Sequence, residues 1–168
     1  MKKLILLFLY SVFCILSLSA QEEREEPQPP TANASNVYAE FGGAGIIYSI
    51  NYDGRFGKTD RGLGFRIGAG GFYADGEGYY MIPVGLNYLI GSNGKYFEMG
   101  GGAAFGNFNE AFSSDPDLNK SKVVGHLVFA FRKQAFRHRG VIFRAGFTPI
   151  FSSTFFIPSA CVAIGFRF

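Results

Sequence analysis

An all-β fold, a closed antiparallel up-and-down transmembrane β-barrel of eight strands, is predicted by three features of this chain of 168 residues. From Asn36 to the last residue the chain falls into short segments in which apolar residues recur at every second position, the period of a strand with one apolar face. Gly (23) and Phe (20) far exceed ordinary usage and Trp is absent, a composition that weakens helix interiors and favours strands. The faces opposite the apolar ones carry small residues and single charges, not the long Lys, Glu and Thr side chains that coat a solvated sheet.

The N-terminus supplies the context. "MKKLILLFLYSVFCILSLSAQ" has two lysines, an apolar run from Leu4 to Leu18, and the small residues Ser19 and Ala20, the layout of a secretory signal peptide. The apolar part is short for a membrane-spanning helix. Cleavage near Ala20 assigns 1–20 to the signal. Phe13 before Cys14 is too large for a lipoprotein signal. Residues 21–35, "QEEREEPQPPTANAS", are acidic, then Pro-rich, then small and polar; they cannot bury a core and read as a disordered linker. The barrel domain is 36–168. Of the 16 basic residues two leave with the signal, so 14 face 13 acidic ones, a balance that gives no support to a nucleic-acid partner. Cys161 is then the one remaining cysteine, so no internal disulfide is expected.

The strands follow in order. "VYAEFGG" sets Val37, Ala39 and Phe41 against Tyr38 and Glu40. "IIYSINYDGRF" sets Ile46, Tyr48, Ile50, Tyr52 and Phe56 against Ser49, Asn51, Asp53 and Arg55. Apolar parity changes between these two, so the chain must turn or bulge at Gly42–Gly45. A turn gives eight strands; one long bulged strand would give seven. "GLGFRIGAGGFY" sets Leu63, Phe65 and Ile67 against Gly64, Arg66 and Gly68. "YMIPVGLNYLI" sets Ile82, Val84, Leu86, Tyr88 and Ile90 against Met81, Pro83, Gly85 and Asn87. "KYFEMGGGAAF" sets Phe97, Met99 and Phe105 against Glu98, Gly100 and Gly102. "VVGHLVFAFR" sets Val123, Leu127, Phe129 and Phe131 against His126, Ala130 and Arg132. "VIFRAGFTPI" sets Val141, Phe143 and Phe147 against Arg144 and Gly146. The last strand, "CVAIGFRF", sets Val162, Ile164, Phe166 and Phe168 against Ala163, Gly165 and Arg167.

Such strands suit either a soluble barrel with its apolar face inward or a membrane barrel with that face outward. Small residues with sparse charges suit the crowded inside of a narrow barrel, where charges must pair. Strand-end aromatics (Tyr48, Tyr52, Phe56, Tyr73, Tyr79, Tyr80, Tyr88, Phe168) suit interfacial girdles. Strands of about 9–11 residues also match a tilted membrane crossing.

The signal peptide, the Gly- and Phe-rich alternating strands and the closing "ACVAIGFRF" resemble a small Gram-negative outer-membrane β-barrel. "YSINYDGRF", "IPVGLNYLIG" and "FRAGFTPIF" are similar to segments of the uncharacterised outer-membrane β-barrel domain family. The resemblance covers Asn36–Phe168 and implies a bacterial outer-membrane location and a lipid-facing exterior. It also implies an assembly signal at Val162, Ile164, Phe166 and Phe168, read by the barrel-assembly machinery. With both ends on the periplasmic side, "GKTDR", "SNGK" and "KQAFRHRG" become periplasmic turns. The Gly42–Gly45 turn, "ADGEG", "NEAFSSDPDLNKS" and "SSTFFIPS" become outer loops.

Eight strands leave an interior that side chains nearly fill. Arg55, Arg66, Arg132, Arg144 and Arg167 are expected to meet Glu40, Asp53 and Glu98 there as a charged plug, with His126 as a hydrogen-bonding member. Catalytic signals are weak. "GAGGFY" and "GGGAAF" lack the full dinucleotide fingerprint and a following helix, and no acid or Cys stands at metal spacing from His126. "SSDPDLN", with Asp115 and Asp117, reads as a Pro-nucleated turn. The basic cluster of Arg132, Lys133, Arg137, His138 and Arg139 reads as a solvated turn or as a contact with anionic lipid headgroups. The reading is therefore a monomeric, non-catalytic barrel of structural or binding type without a cofactor. Phe112, Phe155, Phe156 and Ile157 are loop candidates for an unidentified partner. Two alternatives stand: a soluble secreted barrel holding an apolar ligand, and a lipid-modifying barrel enzyme using His126 or His138 with Ser113 or Ser152.

Overall fold

The computed structural model describes residues 35–74, 77–108, 122–135, 139–153 and 156–168. The signal peptide, the linker up to Ala34, and Phe112, Ser113, Asp115, Asp117, Arg137, His138 and Phe155 lie outside the described residues.

Alternation becomes ten strands in chain order. They are β1 (Ser35–Gly42), β2 (Tyr48–Arg55), β3 (Gly62–Ala74), β4 (Glu77–Ser92), β5 (Lys95–Phe108), β6 (Lys122–Gln134), β7 (Gly140–Phe147), β8 (Ile150–Phe151), β9 (Phe156–Ile157) and β10 (Ala160–Arg167). Each long strand pairs antiparallel with the next, and β1 pairs with β10 in the register Val37↔Phe166, Ala39↔Ile164 and Phe41↔Val162. Pairing of β5 with β6 (Met99↔Phe129) completes the ring. β1 to β7 and β10 thus form a closed barrel of eight strands, which leaves no free edge along the shared wall. The small β8–β9 hairpin prolongs β7 and β10, with the Thr148 N–H donating to the Ser159 carbonyl at 2.6 Å.

The seven-or-eight question is settled by the first turn. A 3-10 turn at Gly43–Gly45 separates β1 from β2, entered through Gly42 (φ 74°) and Gly43 (φ 65°). A Cβ on Gly42 would stand 2.1 Å from the Ala160 carbonyl oxygen, so glycine is needed for both conformation and space. Ile46 belongs to this turn (φ 69°) and packs toward the interior, so β2 starts at Tyr48 and not at Ile46. β1 begins at Ser35, one residue before the expected domain boundary.

Strand lengths depart from the uniform crossing read in the sequence. β1, β2, β7 and β10 have 8 residues each, whereas β3, β4, β5 and β6 have 13, 16, 14 and 13. A strand of 16 residues is about 50 Å long. Tilted by about 40° it rises well beyond an apolar band of about 25 Å. The barrel is therefore lopsided, with a wall built by β3 to β6 at the end away from the termini.

The apolar face points outward. Phe41 and Ile50 are each 62% exposed, and Leu86, Phe131, Val141, Ile164 and Phe166 are also exposed, while the opposite faces are buried. A soluble barrel with an apolar cavity would have the reverse arrangement, so that alternative is not favoured. Near the termini Phe56, Phe65, Tyr52 and Phe168 form a chain of ring contacts, with centroids 5.6 Å (Phe56–Phe65), 5.8 Å (Tyr52–Phe65) and 6.4 Å (Tyr52–Phe168) apart. Tyr79 does not join the girdle at the other end. It shares the inward parity of Met81, is buried, and its hydroxyl accepts from the Ile47 N–H at 2.9 Å and donates to the Gly45 carbonyl at 3.1 Å.

Candidate functional site

Inward-facing positions stack into layers along the lumen. At the end away from the termini Tyr79, Met81, Ala104, Val124 and Ile150 form an apolar cluster. A charged belt follows. Nearest the termini Arg167 donates to Asp60 at 2.6 Å and to the Ala135 carbonyl at 2.7 Å.

The belt is built on three carboxylates. Asp53 accepts from Arg55 at 2.8 and 2.9 Å, from Arg132 at 2.9 and 3.1 Å, from Asn87 at 2.6 Å and from Asn36 at 3.3 Å. Glu98 pairs with Arg132 at 3.0 Å and with Arg144 Nε at 2.9 Å, and accepts from Asn87 at 3.1 Å. Glu40 pairs with Arg66 at 2.5 Å through Oε1 and with Arg144 through Oε2. Arg66 Nε also donates to Asn51 Oδ1 at 2.9 Å. Nearly every one of these side chains is shut off from solvent, which makes each pairing count: a buried charge without a partner is strongly destabilising.

Tyr38 stands among the arginines. The Cζ atoms of Arg66, Arg132 and Arg144 lie 5.8, 5.9 and 5.9 Å from its ring centroid, within cation–π range. Space for these long side chains comes from missing ones on the same face. A Cβ on Gly64 would lie 2.2 Å from Arg55 Cζ, and one on Gly68 2.2 Å from Asn51 Oδ1.

Eight of the nine expected lumen residues are brought into ion pairs: Glu40, Asp53, Arg55, Arg66, Glu98, Arg132, Arg144 and Arg167. His126 is the exception. It is buried on the lumen side two positions from Val124, and its Nδ1 has no hydrogen-bond partner among the described residues. It stands where the apolar cluster meets the belt, close enough to Arg66, Glu40 and Arg144 to feel their charges. Arg132 leaves the surface basic cluster for the lumen, because β6 continues to Gln134 and carries it inward; Lys133 and Arg139 stay exposed. Asp60, in the turn between β2 and β3, is buried against Arg167. Asn36, Asn51 and Asn87 were legible only as neutral polar residues of inward parity. Cys161 is a free, buried thiol beside Arg144 Nη1 (3.4 Å) and Thr148 Oγ1 (3.3 Å).

On the closing strand, Val162, Ile164 and Phe166 face outward and Arg167 inward. Phe168 is half exposed, its N–H donating to the Ser35 carbonyl at 3.0 Å. At the opposite rim, β2 pairs with β3 only as far as Ser49↔Gly70, whereas β3 pairs with β4 on to Ala74↔Glu77. Beside this notch lies a cleft of about 480 Å³ lined by Tyr48, Phe72, Tyr73, Tyr79, Tyr80 and Asn107.

A polar, paired lumen inside an apolar exterior is the arrangement of a membrane barrel. Solved structures match it. The N-terminal β-barrel domain of Pseudomonas aeruginosa OprF superposes with a TM-score of 0.59 at 12% identity, covering 81% of this chain and 96% of that one. The fold is that of the eight-stranded outer-membrane barrels. The Yersinia pestis outer-membrane protein Ail, determined in a phospholipid bilayer nanodisc, superposes with a TM-score of 0.51 at 12% identity, covering 82% of this chain and 100% of that one. No protein-family profile and no curated protein sequence matches the chain. At this identity the likeness to known outer-membrane barrels carries the architecture alone.

Proposed function

We propose that this protein is a monomeric, non-catalytic barrel of the bacterial outer membrane, of structural or binding type, with a lumen closed by its own side chains. The observation that carries the reading is the charged belt of Glu40, Asp53, Glu98, Arg55, Arg66, Arg132 and Arg144 beneath an apolar cluster. Ion pairs cross-link β1, β2, β3, β5, β6 and β7 through the axis. In this reading the signal is removed near Ala20 and both termini of the barrel domain lie on the periplasmic side. Val162, Ile164, Phe166 and Phe168 carry the assembly signal read by the barrel-assembly machinery, and lipid covers the exterior. Binding belongs to the outer rim, where the long β3–β6 wall, the aromatic cleft and exposed Phe156 and Ile157 stand clear of the membrane band.

Planar-bilayer recording tests the closed lumen. The expected result is no large, stable open channel in the refolded protein; channels of porin size would overturn the proposal.

A further inference from the structure

The belt does not balance. Among the described residues Arg55, Arg66, Arg132 and Arg144 share three carboxylates, Glu40, Asp53 and Glu98, while Arg167 and Asp60 form their own pair nearer the termini. One positive charge is left over behind the barrel wall. Proton loss from the arginines cannot remove it, because an arginine keeps its proton in proteins. The hydrogen bonds do not close either. Arg66 Nη1, Arg144 Nη2, Arg55 Nε and Arg132 Nε are buried without an acceptor, as are the Tyr38 hydroxyl and His126 Nδ1. A water could accept from these groups but would leave the charge in place. A buried, uncompensated charge is strongly destabilising, so an occupant that brings both an acceptor and a negative charge is favoured.

We propose that the lumen holds one small monovalent anion of the chloride class, bound between Arg66 and Arg144. These two guanidinium groups already share Glu40, one on each carboxylate oxygen, and each keeps one terminal nitrogen unpartnered. The charge is set at one by the four-to-three ratio. The size is limited by burial, since Arg66, Arg144 and Glu40 are almost wholly shut off from solvent around the site. The ion is structural: it completes the plug and adds to the barrel's thermal stability.

The test is melting of the refolded full chain in detergent, in chloride, bromide or gluconate at equal ionic strength, together with crystals grown in bromide. The expected result is a saturable rise in melting temperature with chloride and bromide but not gluconate. One anomalous bromide peak should lie beside Arg66 and Arg144. Arg66→Gln removes the surplus charge and should abolish the halide response; Arg167→Gln, which lies outside the belt, should retain it. Identical melting in all three salts, or a water without anomalous signal at the site, would overturn the proposal. So would an undiminished response in Arg66→Gln. If Arg66→Gln does not fold, the wild-type salt series and the bromide peak decide.

Discussion

Asp53→Asn probes the belt most directly, because Asp53 carries two arginines at once. Arg55 and Arg132 stand 2.8 to 3.1 Å from its oxygens, and all three side chains are almost wholly buried. At an effective dielectric near 20, a unit charge pair about 4 Å apart is worth about 4 kcal/mol. Removing one member of a buried pair typically costs about 3–5 kcal/mol. Asparagine keeps one oxygen as an acceptor and loses the charge, so the expected loss is about 3 kcal/mol, a shift of roughly a hundredfold in the folding equilibrium. The assay is reversible urea unfolding in detergent or thin bilayers, followed by heat-modifiable gel migration. Combining Asp53→Asn with Arg132→Met removes both charges, and Glu98 keeps Arg144 and Asn87 as partners. The double variant should therefore lose at least about 1 kcal/mol less than the sum of the singles. A loss below about 1 kcal/mol for Asp53→Asn would mean that water screens the belt, and the closed-lumen argument would fail with it.

Other perturbations reach the wall, the first turn and the terminus. Ile164→Arg places a charge on the outward face; it should cost about 2–4 kcal/mol in a bilayer, whereas a solvated exterior would tolerate it within about 0.5 kcal/mol. Gly42→Val forces a branched side chain into φ 74° with its Cβ 2.1 Å from the Ala160 carbonyl oxygen. A loss of at least about 1–3 kcal/mol in the same urea assay is expected, and wild-type stability would contradict the turn geometry. Deleting Phe168 removes its ring contact with Tyr52 and its hydrogen bond to Ser35. Cell fractionation should then show less folded barrel in the outer membrane with export unimpaired; an unchanged folded yield would refute the assembly role.

Much of the architecture is local information. The period of two marks which side chains share a face, and the change of parity between Phe41 and Tyr48 marks the first turn. Side-chain size on the minor face indicates which face is crowded, which orients the whole wall. These follow because a strand's alternation is imposed by its own backbone, without reference to any partner. Tyr79 shows how far this reaches: its odd position on β4, shared with Met81, already implied burial, although its ring suggested a girdle.

What only the tertiary structure decides is which charge meets which. Asp53 and Arg132 are 79 positions apart and Glu40 and Arg144 are 104 apart; their meeting depends on register accumulated around eight strands and on closure of β1 against β10. The same closure draws Asp60 from a turn onto Arg167, and it leaves His126 outside the ion pairs, between the apolar cluster and Arg66, Glu40 and Arg144. Parity alone sets five lumen arginines against three carboxylates; the capture of Asp60 by Arg167 reduces that surplus to one. A strand determines the direction of its side chains by itself, but only a closed barrel determines their neighbours.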